Sequence, residues 1–278
     1  MSKSPAFGGK ALASNPTNRI DQVLATRAPG LWPFLVAGYP SAKFTIELLR
    51  RMKNLPIRGV EIGFPFSDPI ADGPVIQEAF TRSLASGLRV SDVFDIVKSA
   101  RADVDYPVLG MVSASIVHRV GADDFVAQAK CAGLDGLIVP DISLEEAPRL
   151  AQLTTAAELR LSMLIAPTTP PDRQARIAQI AGGFLYYVSI QGTTGARKSL
   201  PDDLKSHVTT ARATTGLPVR VGVGSSSRDR VREVCQFGNG AIGGRSIVST
   251  ITRLIDRESK SEAAIIESCT QFISDLAG

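Results

Sequence analysis

The sequence predicts an α/β fold: a single-domain (β/α)8 barrel of eight parallel strands, with an additional N-terminal helix ahead of the first strand. Three observations carry this expectation. Short, near-continuous apolar runs recur eight times with amphipathic stretches between them, the pattern of parallel strands buried on both faces by helices. The chain has 278 residues, a length at which such a barrel forms one domain. Glycine-rich turns come late, after the seventh and eighth runs, and no GxGxxG opens the chain. Periodicity alone does not show closure, so an open doubly wound sheet is the alternative; the late glycines favour the barrel.

In chain order, strands are expected at "LWPFLVA" (31–37), "GVEIGF" (59–64), "PVLGMVSA" (107–114) and "DGLIVP" (135–140). They continue at "RLSMLIAP" (160–167), "FLYYVSI" (184–190), "LPVRVGVG" (217–224) and "GAIGG" (240–244). Between them, "FTIELLRRMKNL" (44–55) and "DDFVAQAKCAG" (123–133) repeat apolar residues at three- and four-residue steps, the helical period. Gly87 and Gly133 follow helical stretches as C-terminal signals, and Ser143 three residues before Glu146 reads as a capping box.

Composition narrows the function. The 31 basic and 27 acidic residues are scattered, which argues against a nucleic-acid footprint and allows a local anion site. Cys131, Cys235 and Cys269 lie far apart without CxxC or Cys/His spacing, so neither zinc nor a disulfide framework is indicated, and a reducing cytosol fits. No apolar run approaches the roughly 20 residues that cross a bilayer, so no membrane role is expected. The opening "MSKSPAFGGKALASNPTNRI" is small, basic and free of acids. We read residues 1–18 as a flexible leader and 19–278 as the catalytic barrel; the leader's composition also has a slight likeness to a transit peptide, which would place the protein in a plastid rather than the cytoplasm.

Chemistry concentrates in "EIGFPFSDPIADGP" (61–74). Glu61 sits inside a strand between Val60 and Ile62, so alternation turns it away from them, into the barrel. A carboxylate there is costly unless it has a purpose or a buried cationic partner. Desolvation would raise its pKa toward neutrality and suit it to proton transfer. The prolines at 65, 69 and 74 stiffen the following loop. Asp68 reads as a turn-former, and Asp72, deeper in the loop, is the better ligand contact. "YYVSIQGTTGAR" (186–197) runs from strand six into a loop able to close over a substrate. "RVGVGSSSRDRV" (220–231) and "GAIGGRSIVSTI" (240–251) each end a strand in glycines just before a helix start. Free N–H groups at two successive helix starts, with the hydroxyls of Ser225 to Ser227 at the first and Gly243 and Gly244 before the second, make an anion site the better reading; Gly222, Gly224, Gly244 and Arg245 are its candidate substrate-binding residues.

These stretches, with "PFLVAGYP" (33–40) and "GLDGLIVPD" (133–141), resemble the tryptophan synthase α-subunit family in order and over most of the chain. The long SDPIADGP signature is the specific part. The resemblance implies a TIM-barrel lyase that splits indole-3-glycerol phosphate into indole and glyceraldehyde 3-phosphate. It implies no metal or organic cofactor in this chain, and a pyridoxal-phosphate-carrying β subunit as partner in an αββα complex. By position, Glu61 and Asp72 match the family's catalytic acids. Phe34 matches a wall of the indole pocket, Tyr186 an active-site tyrosine and Thr194 the mobile-loop threonine, while Gly195, Gly224 and Ser226 match phosphate-site residues. Asp141 matches the partner surface.

Three positions depart from the family pattern: Ser113 where a Tyr is expected, Arg245 where a small residue follows the glycine, and Thr193 in place of Val. Ser113 and Arg245 motivate one alternative, an α-like subunit of little or no activity that binds and activates a β partner; a free-standing lyase that releases indole is another, told apart by whether a β subunit binds.

Overall fold

The computed structural model describes residues 18–69, 72–189, 200–224, 227–257 and 261–278. The leader expected for 1–18 lies outside them except for Asn18. Eight parallel strands close into a barrel in chain order: β1 (Leu31–Val36), β2 (Val60–Gly63), β3 (Val108–Met111), β4 (Gly136–Ile138), β5 (Arg160–Ile165), β6 (Leu185–Val188), β7 (Val219–Val223) and β8 (Ala241–Gly243), with β8 pairing back to β1. Twelve helices are described: α1 (Arg19–Ala25), α2 (Ala42–Arg51), α3 (Pro74–Ala85), α4 (Val90–Arg101), α5 (Ala114–Val120), α6 (Ala122–Ala132), α7 (Ala147–Ala156), α8 (Pro171–Ile180), α9 (Leu204–Thr215), α10 (Arg228–Phe237), α11 (Arg245–Arg257) and α12 (Glu262–Ala277).

All eight expected strands are present, each ending before its apolar run does. β3 stops at Met111 because Ser113 is committed elsewhere: its hydroxyl accepts from the Ser115 N–H and caps α5. Helix boundaries moved for equally local reasons. Ser41 accepts from the Phe44 N–H at 3.0 Å, so α2 starts at Ala42 rather than 44. The helix expected through residue 55 ends at Arg51 and tightens into a 3-10 turn over Met52–Asn54. The Ser143–Glu146 contact exists, with Glu146 N–H donating to Ser143 Oγ at 3.1 Å, but it closes a turn outside the helix. Pro148 tolerates only the first helical turn, which fixes the start of α7 at Ala147.

Parallel register sets which side chains point inward. Phe34 pairs with Glu61, Glu61 with Leu109, Ile138 with Ser162, Tyr186 with Arg220, and Trp32 with Ile242. Paired residues share a face, so Trp32, Glu61, Leu109, Ile138, Ser162, Phe184, Arg220 and Ile242 all line the interior. The apolar members pack as one cluster with Ile20 and Leu24 of α1. The larger cluster lies between strands and helices.

Helix α1 therefore closes one end of the barrel. Asn18 caps it, accepting from the Ile20 N–H at 2.8 Å while its amide donates to the Asp135 and Glu158 carbonyls, each at 2.8 Å. Arg19 pairs with Asp135 at 3.1 Å and Asp21 pairs with Arg160. The residues that close this end are those preceding β4 and beginning β5. The opposite end, where the strands finish, is left for chemistry.

Candidate active site

Glu61 is 0% exposed, and neither carboxylate oxygen has a hydrogen-bond partner. Burial pushes its pKa up to about 8, with the Arg220 guanidinium pulling the other way. The expectation of a raised pKa at an inward-facing Glu is thus met, and so in part is its alternative, a buried cationic partner. Arg220 lies close enough to act electrostatically but shares no hydrogen bond with Glu61.

Asp72 is half-buried just before α3, and its backbone is pinned on both sides. Its N–H donates to the Pro69 carbonyl at 3.2 Å, and its own carbonyl accepts from the Gln77 side chain at 2.9 Å. Burial raises its pKa to about 6. Asp68 is exposed and accepts from the Ser67 hydroxyl at 2.7 Å, a turn contact as expected.

Tyr186, inward on β6, lies in the fields of both acids. Its pKa is raised well above the ordinary value, first by burial, then by the charges of Glu61 and Asp72. The three side chains therefore occupy one electrostatic neighbourhood, built from β2, β6 and the loop that follows β2.

Aromatic walls are laid over glycines. A Cβ on Gly244 would come within 2.8 Å of the Phe34 ring, and one on Gly63 within 2.5 Å of it. A Cβ on Gly222 would meet the Tyr186 hydroxyl at 2.7 Å. Bare backbone at the ends of β2, β7 and β8 is what lets Phe34 and Tyr186 lie flat across the mouth. The Gly222 carbonyl is held by the buried Ser189 hydroxyl.

Beyond Gly222 come Gly224, then Ser227 as the N-cap of α10, its hydroxyl accepting from the Arg230 N–H at 3.4 Å. Gly244 occupies the corresponding position before α11, its carbonyl accepting from the Val248 N–H at 2.9 Å. Arg245 begins that helix half-buried and makes no hydrogen bond or ion pair among the described residues. The first-turn N–H groups of α10 and α11 thus both open beside the last two strands. Thr194, Gly195 and Ser226 lie outside the described residues.

With this geometry in view, the comparisons with known proteins speak to one family. The family model described as tryptophan synthase alpha chain matches residues 20–276. The chain belongs to the tryptophan synthase α-chain family. The α chain of Chloroflexus aggregans is 41% identical over 264 residues, spanning 93% of this chain and 97% of that relative. That of Synechococcus sp. (strain CC9902) is 40% identical over 259 residues, 93% and 94% of the two chains. Among solved structures, the tryptophan synthase α chain of Legionella pneumophila superposes with a TM-score of 0.83 at 29% identity, covering 94% of this chain and 96% of that one. The α2β2 tryptophan synthase complex of Pyrococcus furiosus contributes a match with a TM-score of 0.81 at 32% identity, covering 89% and 97%.

Within the tryptophan synthase α fold, three polar residues were not singled out from sequence. Arg220 is 1% exposed in the barrel interior, its guanidinium 3.7 Å from the Trp32 ring centroid and 4.4 Å from that of Phe184. An Arg in "LPVRVGV" at an inward position carries the same signal as Glu61, a charge inside an apolar strand. Ser162 is 0% exposed, and its hydroxyl has no partner. Ser246, in the first turn of α11, also buries a hydroxyl without a partner, beside the expected anion site. Asp141 and Ser113, both flagged, prove to be bonded to each other: Ser113 Oγ donates to Asp141 Oδ2 at 2.7 Å and the Ala114 N–H to Asp141 Oδ1 at 2.8 Å. A surface cleft of about 520 Å³ lined by Lys43, Glu47, Arg50 and Ile266 lies among the outer helices, remote from these residues. No helix among the described residues is long and apolar enough to cross a membrane.

Proposed function

We propose that this chain performs the tryptophan synthase α reaction, the retro-aldol cleavage of indole-3-glycerol phosphate into indole and glyceraldehyde 3-phosphate, in the cytoplasm. The observation that carries the reading is Glu61: a fully buried carboxyl with no hydrogen bond and a pKa near 8, in one electrostatic neighbourhood with Tyr186 and Asp72.

The chemistry asks for one proton delivered and one removed. Glu61, protonated near neutral pH, donates to C3 of the indole, and positive charge spreads to the ring nitrogen. Asp72, whose pKa of about 6 leaves it ionised at pH 7, accepts a hydrogen bond from the indole N–H and stabilises that charge. Glu61, now a carboxylate, takes the proton of the hydroxyl on the side-chain carbon bonded to C3. The bond between that carbon and C3 breaks, its electron pair returns to the ring, and the hydroxyl carbon becomes the aldehyde. Glu61 ends protonated, as it began.

Phe34 and Tyr186 sandwich the flat ring. Gly222, Gly224, Gly244 and Arg245 hold the phosphate at the starts of α10 and α11, with Gly195 and Ser226 as further phosphate-site residues and Thr194 as the threonine of the loop that closes over the substrate. Arg245 adds a guanidinium to the backbone donors, and a planar fork of donors suits phosphate. Two carboxylates and oriented N–H groups meet every charge that develops, so the reading requires no metal or organic cofactor in this chain. Pyridoxal phosphate belongs to the β subunit, which receives the indole in an αββα complex, with the Ser113–Asp141 surface among its contacts.

The test is indole release from indole-3-glycerol phosphate by the purified chain, with and without a tryptophan synthase β subunit. Release that rises with β and is lost in Glu61→Gln is the expected result. No release from folded protein in either condition would assign it instead as an α-like activator, and full release with no binding of β as a free-standing lyase.

A further inference from the structure

The interior of the barrel holds a charge that the reaction as described does not use. Arg220 projects inward from β7, 1% exposed, its guanidinium over the rings of Trp32 and Phe184, both 0% exposed. Its Nε and Nη1 have no hydrogen-bond partner among the described residues. The two aromatic faces offset part of its desolvation, as ring quadrupoles do for a buried cation. Two rings alone do not explain a buried guanidinium, since an apolar side chain of similar volume would fill the space at lower cost.

Glu61 poses the complementary problem. Both its oxygens are buried without a donor, and the nearby interior donors Trp32 Nε1 and Ser162 Oγ are themselves unpartnered, so none of them serves it. The ionisable groups acting around this carboxyl are Arg220 from β7, Tyr186 from β6 and, through Tyr186, Asp72 from the loop after β2. Of these only Arg220 favours the carboxylate, and Glu61 is in turn the one charge acting on Arg220.

We propose that Arg220 is a positioning residue for Glu61: its guanidinium, stacked on Trp32 and Phe184 and hydrogen-bonded to nothing through Nε and Nη1, supplies the positive potential that lets a carboxyl without donors ionise inside the barrel. The function depends on both halves of the cycle. A carboxyl whose ionised form is unsupported gives up its proton to C3 only at high cost, and the carboxylate it leaves is the same group that must draw off the hydroxyl proton. Arg220 itself touches no substrate; it acts through Glu61. The inference rests on the lyase reading for its catalytic consequence, and for the coupling on two opposite charges buried in one barrel interior, each acting on the other.

The experiment reads Glu61 without substrate. In full-length protein labelled at the Glu side-chain carbon, the Glu61 carboxyl resonance is assigned by its loss in Glu61→Gln and titrated in wild type, Arg220→Met and Arg220→Lys. The midpoint is expected to rise by about one to three units in Arg220→Met, the shift typical of a lost opposite charge, and to stay near wild type in Arg220→Lys. In parallel, kcat of Arg220→Met falls at least tenfold at pH 7 with KM little changed, and Arg220→Lys recovers most of it. An unmoved midpoint in Arg220→Met, or the same loss in both variants, overturns the proposal. Should Arg220→Met not fold, the 15N signal of Arg220 Nε decides the matter: it follows the Glu61 titration in wild type and is flat in Glu61→Gln, and a flat signal in both overturns the coupling. A coupled pair in a protein without lyase activity would sink the lyase reading and leave the coupling standing.

Discussion

The Tyr186 hydroxyl stands where a side chain on Gly222 would begin, with 2.7 Å separating it from the position of a Cβ. Two adjacent strands thus divide one space, β6 filling it and β7 leaving it bare. Gly222→Ala should displace the phenol from the place it takes beside β7. We expect kcat/KM to fall on the order of a hundredfold, the scale of a 1 Å misplacement, while overpacking costs about 1–3 kcal/mol. Steady-state kinetics beside thermal unfolding separates the two effects, and unchanged kcat/KM would remove Tyr186 from the site.

The opposed roles of the acids fix a pH profile. Asp72 must be ionised, so activity is lost as pH falls through about 6; Glu61 must start protonated, so activity is lost as pH rises through about 8. A bell with limbs near those values is the expected form of kcat/KM. In Asp72→Asn the acid limb should vanish with the rate lowered about 100- to 1,000-fold, in line with removal of one group that meets developing charge. An acid limb that persists in the variant would assign it to another group.

Glu61 also shapes stability. Its folded pKa is raised from 4.5 to about 8, so between those values the native state holds a proton that the unfolded chain has released. Stability is therefore full below the unfolded value and declines with rising pH until about 8, at about 1.4 kcal/mol per unit for this one group. Glu61→Gln stays neutral throughout and lacks that decline. Urea unfolding at pH 5 and pH 8 should show the variant gaining on wild type at the higher pH, with no measurable indole release at either. Parallel profiles would mean that Glu61 is ionised in the folded protein across the range.

Ser113 and Asp141 form one unit at the start of α5. Removing the hydroxyl in Ser113→Ala breaks the bond to Asp141 Oδ2 and the cap on Ser115, a loss of about 1 kcal/mol. If this unit faces the β subunit as proposed, Asp141→Ala weakens β binding at least tenfold in a titration of indole release. Undiminished affinity would move the contact surface elsewhere.

How much of this was legible in the sequence follows from the range of each cause. Glu61 and its raised pKa were readable because a charge flanked by Val60 and Ile62 in a strand has one physical consequence, burial, whatever the rest of the fold. Asp72, the eight strands and the helix starts near Gly224 and Gly244 were readable for the same reason: period-two and helical patterns and glycine turns are set within a few residues. Arg220 was equally visible as a charge in an apolar strand. Its meaning was not, because the stack on Trp32 of β1 and Phe184, just before β6, joins residues some 190 and 36 positions away.

The sequence by itself determined the eightfold alternation of strand and helix, the order of elements and the family, since each rests on local periodicity or on contiguous motifs; closure of the sheet was decided by the structure. Tertiary structure alone decided that Tyr186 lies in the fields of both Glu61 and Asp72, that bare backbone at Gly222 and Gly244 seats Tyr186 and Phe34, and that α1 closes the far end through Asn18 and Asp21. Those are relationships between strands and helices distant in the chain, and only barrel closure, which fixes the register of β1 against β8, brings them within reach of one another.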